Sequence, residues 1–136
     1  FRWKGENVAT TDVEAALASD PGVGECTVFG VEVPDTGGRA GMAAIKLRGG
    51  VQFDGVGLAE VLYERLPGYA IPLFVRIVES LETTSTFKSR KVDLRNQAYG
   101  PELSDPLYVL CGRQEGYVPF YSEYPAEVAA GLRPRG

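Results

Sequence analysis

The sequence predicts an α+β fold, a small mixed sheet with helices packed on it. Runs of β-branched and aromatic residues alternate with stretches of helical spacing, in the order strand, helix, hairpin, helix, strand. Each helical stretch carries one apolar stripe that needs a sheet to cover it. The chain has 136 residues with 44% hydrophobic content, enough for one core and too few for two comfortable ones. It is therefore read as a single domain, 1–136.

Phe1 to Lys4 alternate apolar and basic residues, as a short strand does, and Gly5-Glu6-Asn7 reads as a turn. Thr10 and Thr11 are candidate caps of the next helix. Thr11 and Glu14 have the spacing of a capping box, in which each side chain satisfies a free backbone amide. Val13, Ala16 and Leu17 form its stripe, and Asp20-Pro21-Gly22 stops it. Glu25 to Val33 reads as a strand and Pro34 to Gly38 as a loop of turn residues. Met42 to Arg48 reads as a second strand, with Ala43, Ile45 and Leu47 on one side and Lys46 and Arg48 on the other. The two make an antiparallel hairpin. Leu58, Val61, Leu62, Arg65 and Leu66 have helical spacing behind a cap at Asp54, and Pro67-Gly68 ends that helix.

Leu73 to Val78 is a third strong strand, leading into the hydroxyl-rich run Thr83 to Thr86, then Phe87 and Lys88. Small polar residues do not pack a core, so this run reads as an exposed loop pinned by Phe87. A short helix is expected from Ser89 or Arg90, with Arg90 and Lys91 on its solvated face. Leu107 to Leu110 and Tyr117 to Tyr121 form a second hairpin around Gly112 to Gly116. A last helix, capped by Ser122, reaches about Leu132, and Pro125 is tolerated in its first turn.

The net charge of −4 disfavours a sequence-independent nucleic-acid binder, which needs a basic face. With two cysteines and no histidine there is no plausible zinc set and no disulfide framework. Cys26 and Cys111 lie in apolar runs and read as buried reduced thiols, which suits a cytoplasmic location. The longest apolar stretch, Tyr69 to Val78, contains Pro72 and Arg76 and is too short to span a bilayer. No signal peptide is visible, and the chain starts in mid-pattern, as though cut from something longer.

FRWKGENVATTDVE (Phe1 to Glu14), GVEVPDTGGRAGMAAI (Gly30 to Ile45) and LPGYAIPLFVRIVESLETTSTFKSRKVDL (Leu66 to Leu94) stand in the order and spacing of a known domain. They resemble the small C-terminal lid domain of the acyl-adenylate-forming enzymes. FRWKGENVATT, GRAGMAAI and TFK followed by KVDL are similar to one branch, the very-long-chain acyl-CoA synthetases or fatty acid transport proteins, with their bacterial fatty-acid–CoA ligase relatives. DPLYVL and YVPFYSEYPAEV, Asp105 to Val128, form a C-terminal extension, so the resemblance divides the domain into a core, 1–95, and an extension, 96–136, with an extra hairpin and helix. Ser85 departs from the branch, which usually has glycine before Thr-Phe-Lys; it stiffens the loop and leaves Lys88 in register.

The resemblance implies that Lys88 is catalytic, its ammonium bridging the acyl carboxylate and the α-phosphate of ATP during adenylation. It implies that Gly5 lets the backbone approach the pantetheine arm of CoA after a domain rotation, with Lys4, Glu6 and Asn7 flanking the channel. Arg2, Lys4 and Arg39 are candidates for the CoA phosphate, although Arg39 and Asp35 also read as residues that shape their loop. A lysine taken alone is mostly a solvated surface charge, and a glycine in a turn mostly an ordinary turn residue. ATP, its Mg2+ and the fatty-acid tunnel would belong to a large N-terminal adenylation domain of the same chain. Peripheral membrane association would also belong to parts outside this sequence, and the isolated domain is expected to be inactive. A ligase for a sterol or bile-acid side chain and a non-catalytic interaction module are the competing readings.

Overall fold

The computed structural model describes residues 1–79, 81 and 105–135. The hydroxyl-rich run, Lys88 and the helix expected after it lie outside the described residues.

β1 (Arg2–Trp3) and β2 (Glu6–Asn7) pair antiparallel, Arg2 opposite Asn7 and Trp3 opposite Glu6. Lys4 and Gly5 between them have φ of 52° and 78°. Two positive φ angles in a two-residue connection match the twist of the flanking strands. The turn is thus Lys4-Gly5, and Glu6 and Asn7, expected in the turn, are strand.

α1 (Thr10–Ala18) buries Val13, Ala16 and Leu17 as expected. Its capping box does not form. Ala9 occupies the cap position without a side-chain bond, and Thr11 is already helical. Glu14 turns to the sheet instead, where its Oε2 accepts from the Val28 backbone nitrogen at 2.8 Å. β3 (Val23–Glu32) is the outer strand, so its open edge needs an acceptor, and a carboxylate supplies a strong one.

β4 (Arg39–Leu47) pairs antiparallel with β3, with Val28 opposite Ala43 and Gly30 opposite Gly41. The alternation expected along this strand is confined to its end, since Ala40 to Ile45 are all buried. β4 is an interior strand covered on both faces, which removes the pressure for polar residues on one of them. α2 (Gly55–Arg65) starts at Asp54, whose Oδ1 accepts from the Gly57 nitrogen at 3.0 Å. A 3-10 turn, Gly68–Ala70, leads to β5 (Phe74–Ile77), which lies parallel to β4, so α2 is the crossover between parallel neighbours. β6 (Leu107–Gly112) and β7 (Gly116–Pro119) extend the sheet antiparallel, giving the order β3-β4-β5-β6-β7. The fold is a mixed sheet with helices, as the sequence predicts.

Val28, Ala43, Val75 and Tyr108 share one face. α1 and the start of α2 cover it: Cys26 Sγ meets the Glu14 carbonyl, and the Phe53 ring lies 4.3 Å from that of Tyr108. Phe29, Met42 and Phe74 share the other face, where α3 (Tyr124–Ala129) packs Tyr124 edge-on against Phe74 at 5.7 Å. α3 begins after Glu123 with no side-chain cap, because Ser122 Oγ bonds the Glu123 carboxylate instead. Pro125 sits in its first turn as expected. The helix stops short of Leu132: Gly131 takes φ of 77°, and the nitrogens of Gly131 and Leu132 bond back to Val128 and Glu127.

Candidate functional site

The N-terminal hairpin is seated by glycines. A Cβ on Gly30 would lie 2.8 Å from Phe1 Cβ, and one on Gly41 would lie 2.9 Å from Phe1 Cζ. The missing side chains of this cross-strand pair make room for the Phe1 ring. At Gly38 a Cβ would lie 2.6 Å from the Arg2 carbonyl oxygen. The Val8 nitrogen donates to the Phe1 carbonyl at 2.7 Å, and Trp3 and Val8 are buried. This docking brings Arg2, Lys4, Gly5, Glu6 and Asn7 to the flank of the sheet that carries Arg39, and all six side-chain positions are exposed.

Among the described residues, nothing lies within 4 Å of the place a Gly5 Cβ would occupy. Glycine is favoured there by its φ, and the outer surface of the turn is open to an approaching ligand. Arg2 Nη1 donates to Asn7 Oδ1 at 3.2 Å across the hairpin. Arg39 Nη2 lies 3.2 Å from Glu32 Oε1, with the two side chains 51% and 78% exposed. A pair so exposed is worth at most about 1 kcal/mol and gives way readily to a better anion. Arg39 stands opposite Glu32 at the mouth of the β3–β4 hairpin, so it also ties the loop, as one of its two expected roles has it. Thr36 Oγ1 donates to the Val33 carbonyl at 2.7 Å, and Asp35 takes φ of 63°. The loop encloses an open groove of about 600 Å³.

The thiols are not part of this site. Both are free; Cys111 is buried and Cys26 half-buried rather than fully so. Burial, and secondarily the charge of Glu14, push the Cys26 thiol up to about 11, so it stays protonated at neutral pH. Among the described residues no three His, Cys, Asp or Glu side chains are grouped to hold a metal ion. No described helix is long and apolar enough to cross a membrane. What the hairpin offers chemically is a cation-bearing surface with an accessible backbone at its tip.

Residues 12–88 match the AMP-binding enzyme C-terminal domain. The chain belongs to that family. It is 71% identical over 136 residues to the medium/long-chain-fatty-acid–CoA ligase of Mycobacterium tuberculosis, covering 100% of this chain and 23% of that protein. It is 47% identical over 135 residues to long-chain fatty acid transport protein 3 of Homo sapiens, covering 98% of this chain and 20% of the relative. The structure matches ATP-bound MatB from Rhodopseudomonas palustris with a TM-score of 0.62 and 26% identity, over 70% of this chain and 19% of that one. The chain thus spans less than a quarter of the length of these relatives.

In this AMP-binding enzyme C-terminal domain the family match ends on Lys88, and β6, β7 and α3 lie beyond it. Two features of the domain were not expected from the sequence. One is the Phe1 seat, for which the signal is a pair of glycines inside otherwise strand-forming runs. The other is an ion pair between Arg76 and Asp105, signalled by a lone charge within LFVRIV.

Proposed function

We propose that the chain is the mobile C-terminal domain of an ATP-dependent, AMP-forming fatty-acid–CoA ligase. The observation that carries this reading is the 71% identity, along all 136 residues, to a medium/long-chain-fatty-acid–CoA ligase. Lys88 is the adenylation lysine. Bringing a carboxylate to a phosphate sets two anions against each other, and phosphorus gains further negative charge in the transition state. A positioned ammonium offsets both, and lysine places such a charge at the end of a long stem.

For the thioester-forming half, the Lys4-Gly5 turn faces the CoA arm. Gly5 presents backbone without a Cβ, and Lys4, Glu6 and Asn7 flank the arm. Arg2, Lys4 and Arg39 meet the CoA phosphates, Arg39 by exchanging its exposed Glu32 partner. The open space outside Gly5 and the exposure of these cations fit that ligand. ATP, Mg2+ and the acyl chain are held by a large N-terminal domain of the same protein, and the isolated chain does not adenylate. Residues 1–95 form the core and 96–136 an extension; the family match, residues 12–88, falls wholly within that core. We place the protein in the cytoplasm with peripheral membrane contact through its other parts, a reading supported by the fatty acid transport protein relatives.

The test is Lys88→Ala in the full-length ligase. Acyl-adenylate formation falls by about 10²–10³, while thioester formation from supplied acyl-adenylate persists. A variant that adenylates at the parent rate removes Lys88 from the mechanism. A panel of carboxylic acids of graded length, with sterol and bile-acid side chains included, identifies the acyl substrate.

A further inference from the structure

The apolar face of the sheet that α1 and α2 cover is not filled to its end. Between the turn after α1 and the start of α2 lies a recess of about 370 Å³. Val23 of β3, Ile45 and Leu47 of β4, and Leu58 and Val61 of α2 line it. Val51, 40% exposed, stands at its rim on the loop between β4 and α2. A packed interior leaves few voids wider than a water, so walls of this kind forgo contacts that an apolar occupant would restore. The volume falls in the range of small-molecule sites. Scaled from a cavity of about 150 Å³ that takes benzene, it suits a body of about ten to fifteen carbon atoms.

The charges at the recess are of one sign. Asp20 and Asp54 line it, and among the described residues no lysine or arginine does. Asp20 Oδ1 accepts from Gly22 N at 2.8 Å, and Asp54 Oδ1 from Gly57 N at 3.0 Å. Each carboxylate keeps its other oxygen without a partner among the described residues. α1 ends at Ala18, two residues before Asp20, and has no basic residue in its last turn, so the negative end of its dipole adds to the same sign. Arg48 does not line the recess; its Nε donates to the Val23 carbonyl at 3.3 Å. A fatty acid would bring its carboxylate against this rim, so the recess is no second site for the acid that the proposed reaction consumes.

We propose that the recess is a ligand site for an amphipathic primary amine, its alkyl or aryl body inside and its ammonium at the rim. An ammonium has three N–H donors and no acceptor, which matches two carboxylates that each have an oxygen to spare. Asp54 already faces the positive end of α2 as its cap, so Asp20 supplies more of the attraction.

The experiment uses the full-length ligase with isotope-labelled Ile, Leu and Val methyls. n-Octylammonium, octanoate and 1-octanol are titrated into it separately, each below its micelle concentration. The methyls of Ile45, Leu47, Val51, Leu58 and Val61 read this recess whatever the probes do elsewhere in the protein. n-Octylammonium is expected to shift them with an affinity about 10- to 30-fold above that of octanoate. An exposed ion pair is worth a factor of up to about five, and repulsion of the opposite head group a like factor. 1-Octanol should fall between the two. Asp20→Asn/Asp54→Asn keeps both backbone bonds, because asparagine accepts and caps as aspartate does, and should bring the three probes within about threefold of one another. Of the single variants, Asp20→Asn should lose more of the preference. Val61→Phe fills the recess and should abolish the shifts. Should it not fold, Val51→Trp closes the exposed rim and carries the same comparison. Octanoate binding as tightly as n-octylammonium, a preference that survives the double variant, or shifts that survive the filled recess would each overturn the proposal. Silence towards all three probes would overturn it too, and a cross-link from Val51→Cys would then show whether the rest of the chain or a second copy covers the rim.

Discussion

Gly5 has two separable duties, and a pair of substitutions divides them. Its φ of 78° is a conformation in which an L-residue with a Cβ is strained, by roughly 1–2 kcal/mol for alanine. No clash with the described residues adds to this, because none of them lies within 4 Å of the new Cβ. Asparagine enters the left-handed region more readily, so it recovers part of that strain. For a domain of this size, 1 kcal/mol displaces the melting temperature by about 3–5 °C. Gly5→Ala should therefore melt about 3–10 °C below the parent, and Gly5→Asn measurably above Gly5→Ala. Both variants place atoms on the open surface of the turn. Both should then form thioester from acyl-adenylate and CoA more slowly than the parent in the full-length enzyme, despite their different stabilities. Thermal melts followed by circular dichroism and a single-turnover thioester assay measure the two effects. A Gly5→Ala protein that melts with the parent refutes the left-handed turn. Parent-rate thioester formation by both variants refutes the access argument.

Tyr117→Phe removes a hydroxyl that donates to the Pro72 carbonyl at 2.6 Å within the core, leaving that oxygen without this donor. The expected loss is about 1–3 kcal/mol by denaturant titration. Glu14→Ala withdraws the acceptor from Val28 N on the outer strand and should cost a similar amount, about 1–2 kcal/mol, whereas Thr11→Ala should change little. If Thr11→Ala were the more damaging, the capping box would have to be restored. Cys26 gives a pH dependence. Its thiol ionises near 9.0 when unfolded and about 11 when folded, so between those values only the unfolded chain loses the proton. Stability from this group is complete below pH 9.0 and declines as the pH rises towards 11. Cys26→Ala should flatten that decline in melts at graded alkaline pH.

Much of the fold was legible because local chemistry and tertiary packing agreed. Asp54 caps α2, Pro67-Gly68 follows its end, and the two hairpins fall where the glycine-rich loops place them. The misreadings occur where a distant partner outbids a near one. Thr11 and Glu14 had the spacing to cap each other, but the bare edge of β3 claimed the carboxylate. Met42 to Arg48 promised a two-sided strand, but neighbours on both sides buried Ala40 to Ile45. The parallel pairing of β4 and β5 leaves no local mark. At the candidate site, exposure of Arg2, Lys4, Gly5, Glu6, Asn7 and Arg39 could be anticipated from their chemistry. Their gathering on one flank could not, because it depends on an aromatic ring settling over two glycines in different strands.

The order of the strands bears on how this domain can be trimmed. A chain cut shortly after Lys88, where the family match stops, would lose the neighbour of β5 together with the tyrosine that shields Phe74. A bare, hydrophobic border of unpaired amides would then face other molecules, and an arginine would be stranded beside it. Such a shortened protein should self-associate into sheet-rich aggregates, so the final thirty or so residues act as a hem that keeps the cloth from unravelling onto its neighbours.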